Sequence, residues 1–289
     1  MIPTLLTCKV SLSYISTSKL SKLSKLSLSS YTSQSTTSTT SVVHGDALDR
    51  HIYQKLHIDP KPNCLVTDPP YCILTRRRVS GELRDPKKRK RKIDGDETIT
   101  RFENVNSYKT FTQQWLDNVI TNCLCKEQNQ HTIIIWTNPL GKKSIRDVVQ
   151  NDFGYTLVGE YVWGKRSDHK SSSSINSSKE ILLRVYETAL IFKKDHVNIP
   201  LLPNDKGLQW SVITGYHDEN DTVHEHPCHK PLKSIEPLIR NFTKPNDSII
   251  DPFAGSGAIL KCAQIIGQRK VYGLEKLEKW VTQCNNILK

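Results

Sequence analysis

The sequence predicts an α/β fold, with a mixed, mostly parallel sheet covered by helices on both faces. Three observations predict it. Short apolar runs alternate with stretches of helical spacing along most of the chain. Two of those runs, Cys64-Leu65-Val66 and Ile249-Ile250, are continuous, as in strands buried on both faces. Each leads into a marked turn: Asp68-Pro69-Pro70-Tyr71 early in the chain, and Asp251-Pro252-Phe253-Ala254-Gly255-Ser256-Gly257 late. In an open α/β sheet the carboxyl ends of the strands are where ligands bind.

The elements follow in order. Residues 1–41 read as a leader: no acid occurs before Asp46, while Lys9, Lys19, Lys22 and Lys25 recur among many Ser and Thr. That is the composition of an organellar transit peptide, here mitochondrial, or of a plain tail with too little apolar surface to fold. Residues 42–289 form one domain. Val42–His44 is the first strand and Leu48–Leu56 a helix. Cys64–Thr67 is a strand that delivers Asp68. A charged loop over 76–101 follows. Between Arg76 and Lys92 it carries ten basic residues against Glu82 and Asp85, a net of +8. Tyr108–Cys125 is a helix with Phe111, Trp115, Leu116, Val119 and Ile120 on one stripe. Thr132–Thr137 is a buried strand, Gly141–Asn151 a helix, Tyr155–Trp163 and Thr188–Lys193 further strands. Between the two last strands lies a Ser-rich loop, Lys170–Lys179, which reads as a linker or a mobile lid. Leu232–Phe242 is a helix and Ser248–Asp251 a strand. Ala258–Ile266 is a helix, Lys270–Leu274 a strand, and Leu277–Leu288 the closing helix.

The two turns carry chemistry. Strand, glycine-rich turn and helix form a cofactor cradle. The glycines Gly255 and Gly257 let the backbone approach a ligand, and the helix start offers free N–H donors. An acid on the next strand is expected to meet ribose hydroxyls; Glu275 lies there, 18 residues after Gly257. A dinucleotide cofactor wants a third glycine where this chain has Leu260. The Asp68 turn suits an amine. An exocyclic amino group is a weak nucleophile because its lone pair is delocalised into the ring. Asp68 and the Pro69 carbonyl can accept its two hydrogens, Pro69 and Pro70 stiffen the turn, and Tyr71 can stack on a flipped base. Together the turns suggest methyl transfer from S-adenosyl-L-methionine to an amino nitrogen.

The chain resembles the S-adenosylmethionine-dependent DNA amino-methyltransferases that act on adenine N6 or cytosine N4, and among them the circularly permuted β class, in which the catalytic segment precedes the cofactor segment. The resemblance implies a Rossmann-like methyltransferase fold from about Val42 to Lys289. His226-Pro227-Cys228-His229-Lys230-Pro231 is similar to the family's His-Pro-x-x-Lys-Pro segment, which lines the methionine end of the cofactor. Gly45-Asp46-Ala47 looks like the turn that meets the cofactor adenine. The implied cofactor set is Asp46, Asp251, Phe253, Gly255, Gly257, Glu275, Lys230 and Pro231. Two positions depart from the pattern: Ala258 stands where the family commonly has Thr, and Tyr186 where it often has His. The variable recognition region shrinks to about 195–223, too short for a separate module, so relaxed specificity or a partner subunit is expected.

A formal charge of +12 favours a polyanionic partner. Arg76, Arg77, Arg78, Lys87, Lys88, Arg89, Lys90, Arg91 and Lys92 are the expected phosphate contacts beside the catalytic turn. The same run also resembles a nuclear import signal, which sets a nuclear address against the mitochondrial one. His224, His226, Cys228 and His229 have a metal-like composition but fall inside the cofactor segment, so no metal is expected. The eight cysteines form no dense framework, and no stretch approaches eighteen apolar residues, so no membrane span is expected. The reading is an N-methyltransferase acting on DNA adenine N6. Cytosine N4, an RNA base, and a non-catalytic nucleic-acid-binding subunit are the alternatives, and a homodimer or partner subunit is a further expectation.

Overall fold

In a computed structural model, the described residues are 40–56, 58–75, 99–124, 131–164, 186–194, 213–214, 226 and 228–288. They build an eight-stranded sheet. Its strands are β1 (Thr40–His44), β2 (Cys64–Thr67), β3 (Thr132–Thr137), β4 (Tyr155–Gly164), β5 (Tyr186–Lys194), β6 (Ile213–Thr214), β7 (Ser248–Asp251) and β8 (Lys270–Glu275). Their spatial order is β1-β8-β7-β2-β3-β5-β4-β6. The first five run parallel; β5 is antiparallel to both β3 and β4, and β6 pairs parallel with β4. The sheet is thus mixed and mostly parallel, as expected.

Alternation along each strand sends side chains to two cores. Leu65, Ile133, Ile135, Ile250, Tyr272 and Phe192 face one of them. There they meet the 3-10 helix Arg50–Leu56, α1 (Val105–Asn122) and α2 (Lys142–Asp147). Cys64, Val66, Ile134, Ile191, Ile249 and Val271 face the other. That core is closed by α3 (Leu232–Phe242), α4 (Ala258–Ile266) and α5 (Glu278–Ile287). Each fully buried Leu or Ile contributes roughly 1.5–3 kcal/mol. Apolar residues on both faces of β2, β3 and β7 explain why these runs lack alternation in the sequence.

Several boundaries shift. Strand β1 begins at Thr40 rather than Val42, because it pairs with β8 from Thr40–Val271 onward. The helix expected over 48–56 is a 3-10 helix starting at Arg50, after Asp46 and Asp49 turn the chain with side-chain bonds to Leu48 N and His51 N. Helix α1 starts three residues early, at Val105, because Asn104 caps it by accepting from Ser107 N. Helix α2 runs into a π-helical turn, Val148–Asp152, rather than continuing as α-helix. Strand β5 starts two residues earlier than expected and so takes in Glu187. Strand β6 lies inside the recognition region expected over about 195–223. The leader before Thr40, the Ser-rich loop, Cys125, the basic run 76–92 and most of 195–223 lie outside the described residues. The basic loop's flanks are nevertheless joined: Phe102 N donates to Ile73 O, and Thr75 N to Phe102 O.

Candidate active site

The connection after β7 runs through α4 to β8 on one side of the sheet order, and that after β2 through α1 to β3 on the other. The adjacent strands β2 and β7 therefore flank the topological switch point, where a crevice opens at the carboxyl edge. Both turns read from the sequence sit there. A cavity of about 390 Å³ lies between them. From the catalytic set, Asp68, Pro69, Pro70 and Tyr71 line it. From the cofactor set, Asp46, Phe253, Gly255, Glu275 and Lys230 do.

The half of the cavity around Asp68 is a tight ionic cluster. Lys230 is 4% exposed, and its ammonium donates to Asp68 Oδ2, Glu187 Oε2 and Tyr71 Oη, each at 2.8 Å. Tyr71 Oη donates in turn to Glu187 Oε2 at 2.8 Å. Trp136 presents its ring 4.7 Å from the same ammonium. Burial pushes the Asp68 carboxyl up; Lys230 pulls it back and Glu187 pushes it further up. Burial would lower the Lys230 ammonium, but Asp68 and Glu187 together hold it above its ordinary value, so it stays charged. Burial, then Asp68 and Glu187, raise the Tyr71 phenol well above its ordinary value, so it stays a donor. One acceptor is left over: Asp68 Oδ1 is buried without a hydrogen-bond partner among the described residues. Such an atom is costly unless something meets it.

The other half is a backbone cradle. Gly255 and Gly257 have φ of +51° and +79°, a region that L side chains rarely adopt. A Cβ on Gly255 would stand 3.3 Å from the His226 ring, at the cavity wall. Gly255 N donates to Glu275 Oε2, and Leu277 N to Glu275 Oε1. Burial raises the Glu275 carboxyl despite these donors. Asp46 holds Lys276 at 2.8 Å. Phe253 packs edge-on against Trp115, 5.2 Å between ring centroids.

The expected cofactor set is thus divided. Asp251, Gly257 and Pro231 do not line the cavity. Asp251 is buried, accepting from Thr67 Oγ1 and Phe253 N. Gly257 faces α5, where a Cβ would meet Ile287 and Cys284. Pro231 caps α3 and accepts from Ser234. Lys230, expected at the cofactor's methionine end, lines the cavity with its ammonium on the Asp68 carboxylate. Glu187 is a site residue that the sequence reading passed over. Because β5 is antiparallel, its first residues lie at the same edge as the last residues of β2 and β7. A carboxylate opening an otherwise apolar strand was the available signal. His226 rests against Trp280, and His229 meets Ser256 Oγ at 2.9 Å. Among the described residues no group of three or more His, Cys, Asp or Glu is arranged to hold a metal ion.

A glycine cradle beside an Asp-Pro-Pro-Tyr turn, at the switch point of this sheet, is the arrangement expected of a nucleic-acid amino-methyltransferase. Comparison with known proteins gives the family. Residues 63–286 match the model of the N6/N4 methyltransferase family, described as DNA methylase, and the chain belongs to that family. It is 32% identical to YubD of Escherichia coli (strain K12) over 127 residues, which are 44% of this chain and 48% of YubD. It is 26% identical to the type II methyltransferase M1.MboII of Moraxella bovis over 224 residues, 65% of this chain and 82% of that protein. The match to YubD therefore spans about half of that relative's length. Among solved structures, the M1.HpyAVI–SAM complex matches with a TM-score of 0.57 at 18% identity, covering 86% of this chain and 99% of that one. The cytosine-N4-specific PvuII DNA methyltransferase matches with a TM-score of 0.58 at 17% identity, covering 86% of each. These likenesses establish the Rossmann-like methyltransferase fold.

The same finding corrects the expected address. The matched relatives are bacterial proteins, of Escherichia coli and Moraxella bovis, cells without mitochondria or nucleus. The mitochondrial reading of the acid-poor leader and the nuclear reading of the basic run are therefore withdrawn. Both rested on composition alone, which a Ser- and Lys-rich tail or a phosphate-binding loop shares. No helix among the described residues is long and apolar enough to cross a membrane.

Proposed function

We propose that the protein transfers a methyl group from S-adenosyl-L-methionine to an exocyclic amine of a DNA base, adenine N6 in the first instance. The unpartnered Asp68 Oδ1 carries this reading. Asp68 lies just past the end of β2 and lines the cavity, and its Oδ1 has no hydrogen-bond partner among the described residues. With the Pro69 carbonyl it takes both amine hydrogens and turns the nitrogen lone pair out of conjugation. Tyr71, its hydroxyl pinned by Glu187 and Lys230, supplies the stacking face.

The cradle fits the cofactor. Glu275 and Asp46 offer carboxylates to ribose and adenine, Phe253 an apolar face, and Gly255 a backbone with no Cβ in the way. When bound, the cofactor supplies an activated methyl on a sulfonium. The chain's own contribution is to hold the amine in line and keep its acceptor ready. Adenine is favoured over cytosine because Asp68 opens the turn, where the family's cytosine enzymes more often have Ser.

The basic segment 76–92 is assigned to DNA phosphates. Described residues on either side of it support this: Ile73, Ile99 and Thr100 line the cavity, and Ile73 and Thr75 are hydrogen-bonded to Phe102. A second copy or a partner subunit is assigned the sequence recognition for which 195–223 leaves little room.

The test is to incubate the full chain with labelled donor and separate DNA and RNA pools, then identify the modified nucleoside. N6-methyladenine in DNA, abolished by Asp68→Ala, is the expected result. N4-methylcytosine or label in RNA alone would move the reading to those substrates. Label retained in full by Asp68→Ala would overturn the mechanism. Donor binding measured by calorimetry separates an enzyme from an inert DNA-binding subunit.

A further inference from the structure

We propose that Glu187 is a positioning residue of this site, acting through Tyr71 and Lys230 to orient the stacking ring and to keep Asp68 Oδ1 unpartnered. The proposal rests on reading the cavity as an amino-methyltransferase site. Its test is built to fail separately from that reading.

The hydrogen-bond roles are fixed by valence. An ammonium has three donors and no acceptor. Three oxygens stand 2.8 Å from Lys230 Nζ: Asp68 Oδ2, Glu187 Oε2 and Tyr71 Oη. Tyr71 Oη therefore accepts from Lys230, and its single proton points to Glu187 Oε2, also at 2.8 Å, with the Asp68 carboxylate as a second acceptor in reach. Glu187 and Lys230 thus fill both roles of the phenol. The Tyr71 ring cannot swing without breaking a bond in a site where both partners are buried.

The second consequence is electrostatic. One ammonium is shared between two carboxylates, so Asp68 is engaged through Oδ2 only and Oδ1 stays unpartnered. Without the Glu187 charge, Lys230 has one anionic partner and is free to settle over both oxygens of Asp68. That closes the acceptor meant for the amine. Glu187 reaches the cluster because β5 runs antiparallel to β3 and begins at the edge where β2 ends.

The experiment compares full-length wild type with Glu187→Gln, Glu187→Asp, Tyr71→Phe and the Glu187→Gln/Tyr71→Phe double variant. The first readout is the ring-carbon NMR resonance of Tyr71 in tyrosine-labelled protein, assigned by its loss in Tyr71→Phe. It needs no methyl transfer. The proposal expects this resonance to move in Glu187→Gln and in Glu187→Asp. The second readout is methyl transfer to plasmid DNA from a methylation-deficient host. Glu187→Gln is expected to lower kcat by about 10²-fold through misplacement, with KM for the donor within about threefold. The double variant should be no more than about threefold slower than the slower single, because both changes break one linkage. A stationary Tyr71 resonance, or losses that multiply in the double variant, overturns the proposal. If Glu187→Gln does not fold, Glu187→Asp carries both readouts, since it keeps the charge beside Lys230 and shortens only the reach. A wild-type chain that transfers no methyl group overturns the function; a Tyr71 resonance indifferent to Glu187 overturns the coupling.

Discussion

Thr67 Oγ1 donates a 2.7 Å hydrogen bond to Asp251 Oδ1, joining the last residue of the catalytic strand to the last residue of the cofactor strand. Both residues are buried, and the next residue on the Thr67 side is Asp68. The bond therefore ties the Asp68 turn to the glycine turn, the spacing on which the proposed in-line transfer depends.

Replacing Thr67 by Val tests this link. Burial pushes the Asp251 carboxyl up to about 7, against the pull of Thr67 and the Phe253 amide. Its pKa in the fold lies above the unfolded value, so the neutral form is the one the fold favours. The group's contribution to stability is full below the ordinary carboxylate range and is lost as pH rises through about 7. Thr67→Val removes a donor to the charged form and raises the carboxyl further. At pH 8 it should cost about 1–3 kcal/mol, and less at pH 5. Urea unfolding at both pH values measures the difference; an equal loss at the two would show that the bond does not discriminate charge.

Lys230→Met leaves two buried carboxylates facing each other. The expected loss of stability is about 3–5 kcal/mol. Lys230 is also what pulls the Asp68 carboxyl down against burial and Glu187. Without it Asp68 stays protonated to higher pH, and a protonated Asp68 presents a weaker acceptor. The acid limb of kcat/KM should therefore move to higher pH, and residual activity should recover as pH is raised. A flat or unmoved limb would separate Lys230 from the state of Asp68.

The sheet and both turns were legible because strongly apolar strands and Gly- and Pro-bearing turns state their geometry locally. Ala258–Ile266 and Leu232–Phe242 were readable to the residue, since the amphipathic stripe and the flanking turns agree. What stayed hidden depends on the path of the chain in space. Glu187 stands one residue before the apolar run that starts at Thr188, and nothing local says that an antiparallel neighbour brings it to the edge where β2 ends. Lys230 is legible as a site residue, but its ion pairs are not. Its four-carbon stem can reach either side of the crevice, and only the placement of Glu187 and Tyr71 decides which. Gly257 was taken for a ligand-facing glycine, whereas its space is claimed by Ile287 and Cys284 of a helix far along the chain.

The two glycines of the cradle should accordingly fail in different ways. Gly257→Ala puts a Cβ 3.0 Å from Ile287 Cδ1 and 3.1 Å from Cys284 Sγ, at φ +79°. The backbone alone costs about 1–2 kcal/mol, and the crowding adds to it, so Tm should fall while donor affinity changes little. Gly255→Ala puts its Cβ beside the His226 ring at the cavity wall, at φ +51°. It should carry the same backbone cost and also weaken donor binding by about tenfold or more, since an added methyl fills space the ligand needs. Calorimetry of donor binding alongside thermal unfolding distinguishes them. Equal losses of affinity would return Gly257 to the binding surface.

The basic segment makes the last prediction, and salt reads it. Lys87, Lys88, Arg89, Lys90, Arg91 and Lys92 are six consecutive cations. If all six neutralise duplex phosphates, their replacement by Gln should reduce the slope of log affinity against log salt by about 5, at roughly 0.9 per contact. Binding should weaken about equally for unrelated DNA sequences, because phosphates carry no sequence information. The rate of methyl transfer at saturating DNA should change far less than affinity, since no residue of the Asp68–Lys230–Glu187–Tyr71 cluster is touched. An unchanged slope across 50–200 mM salt, a range over which phosphate contacts are strongly expressed, would detach this segment from DNA. A slope that falls while one sequence alone loses affinity would make it a reader of bases rather than a clamp on the backbone.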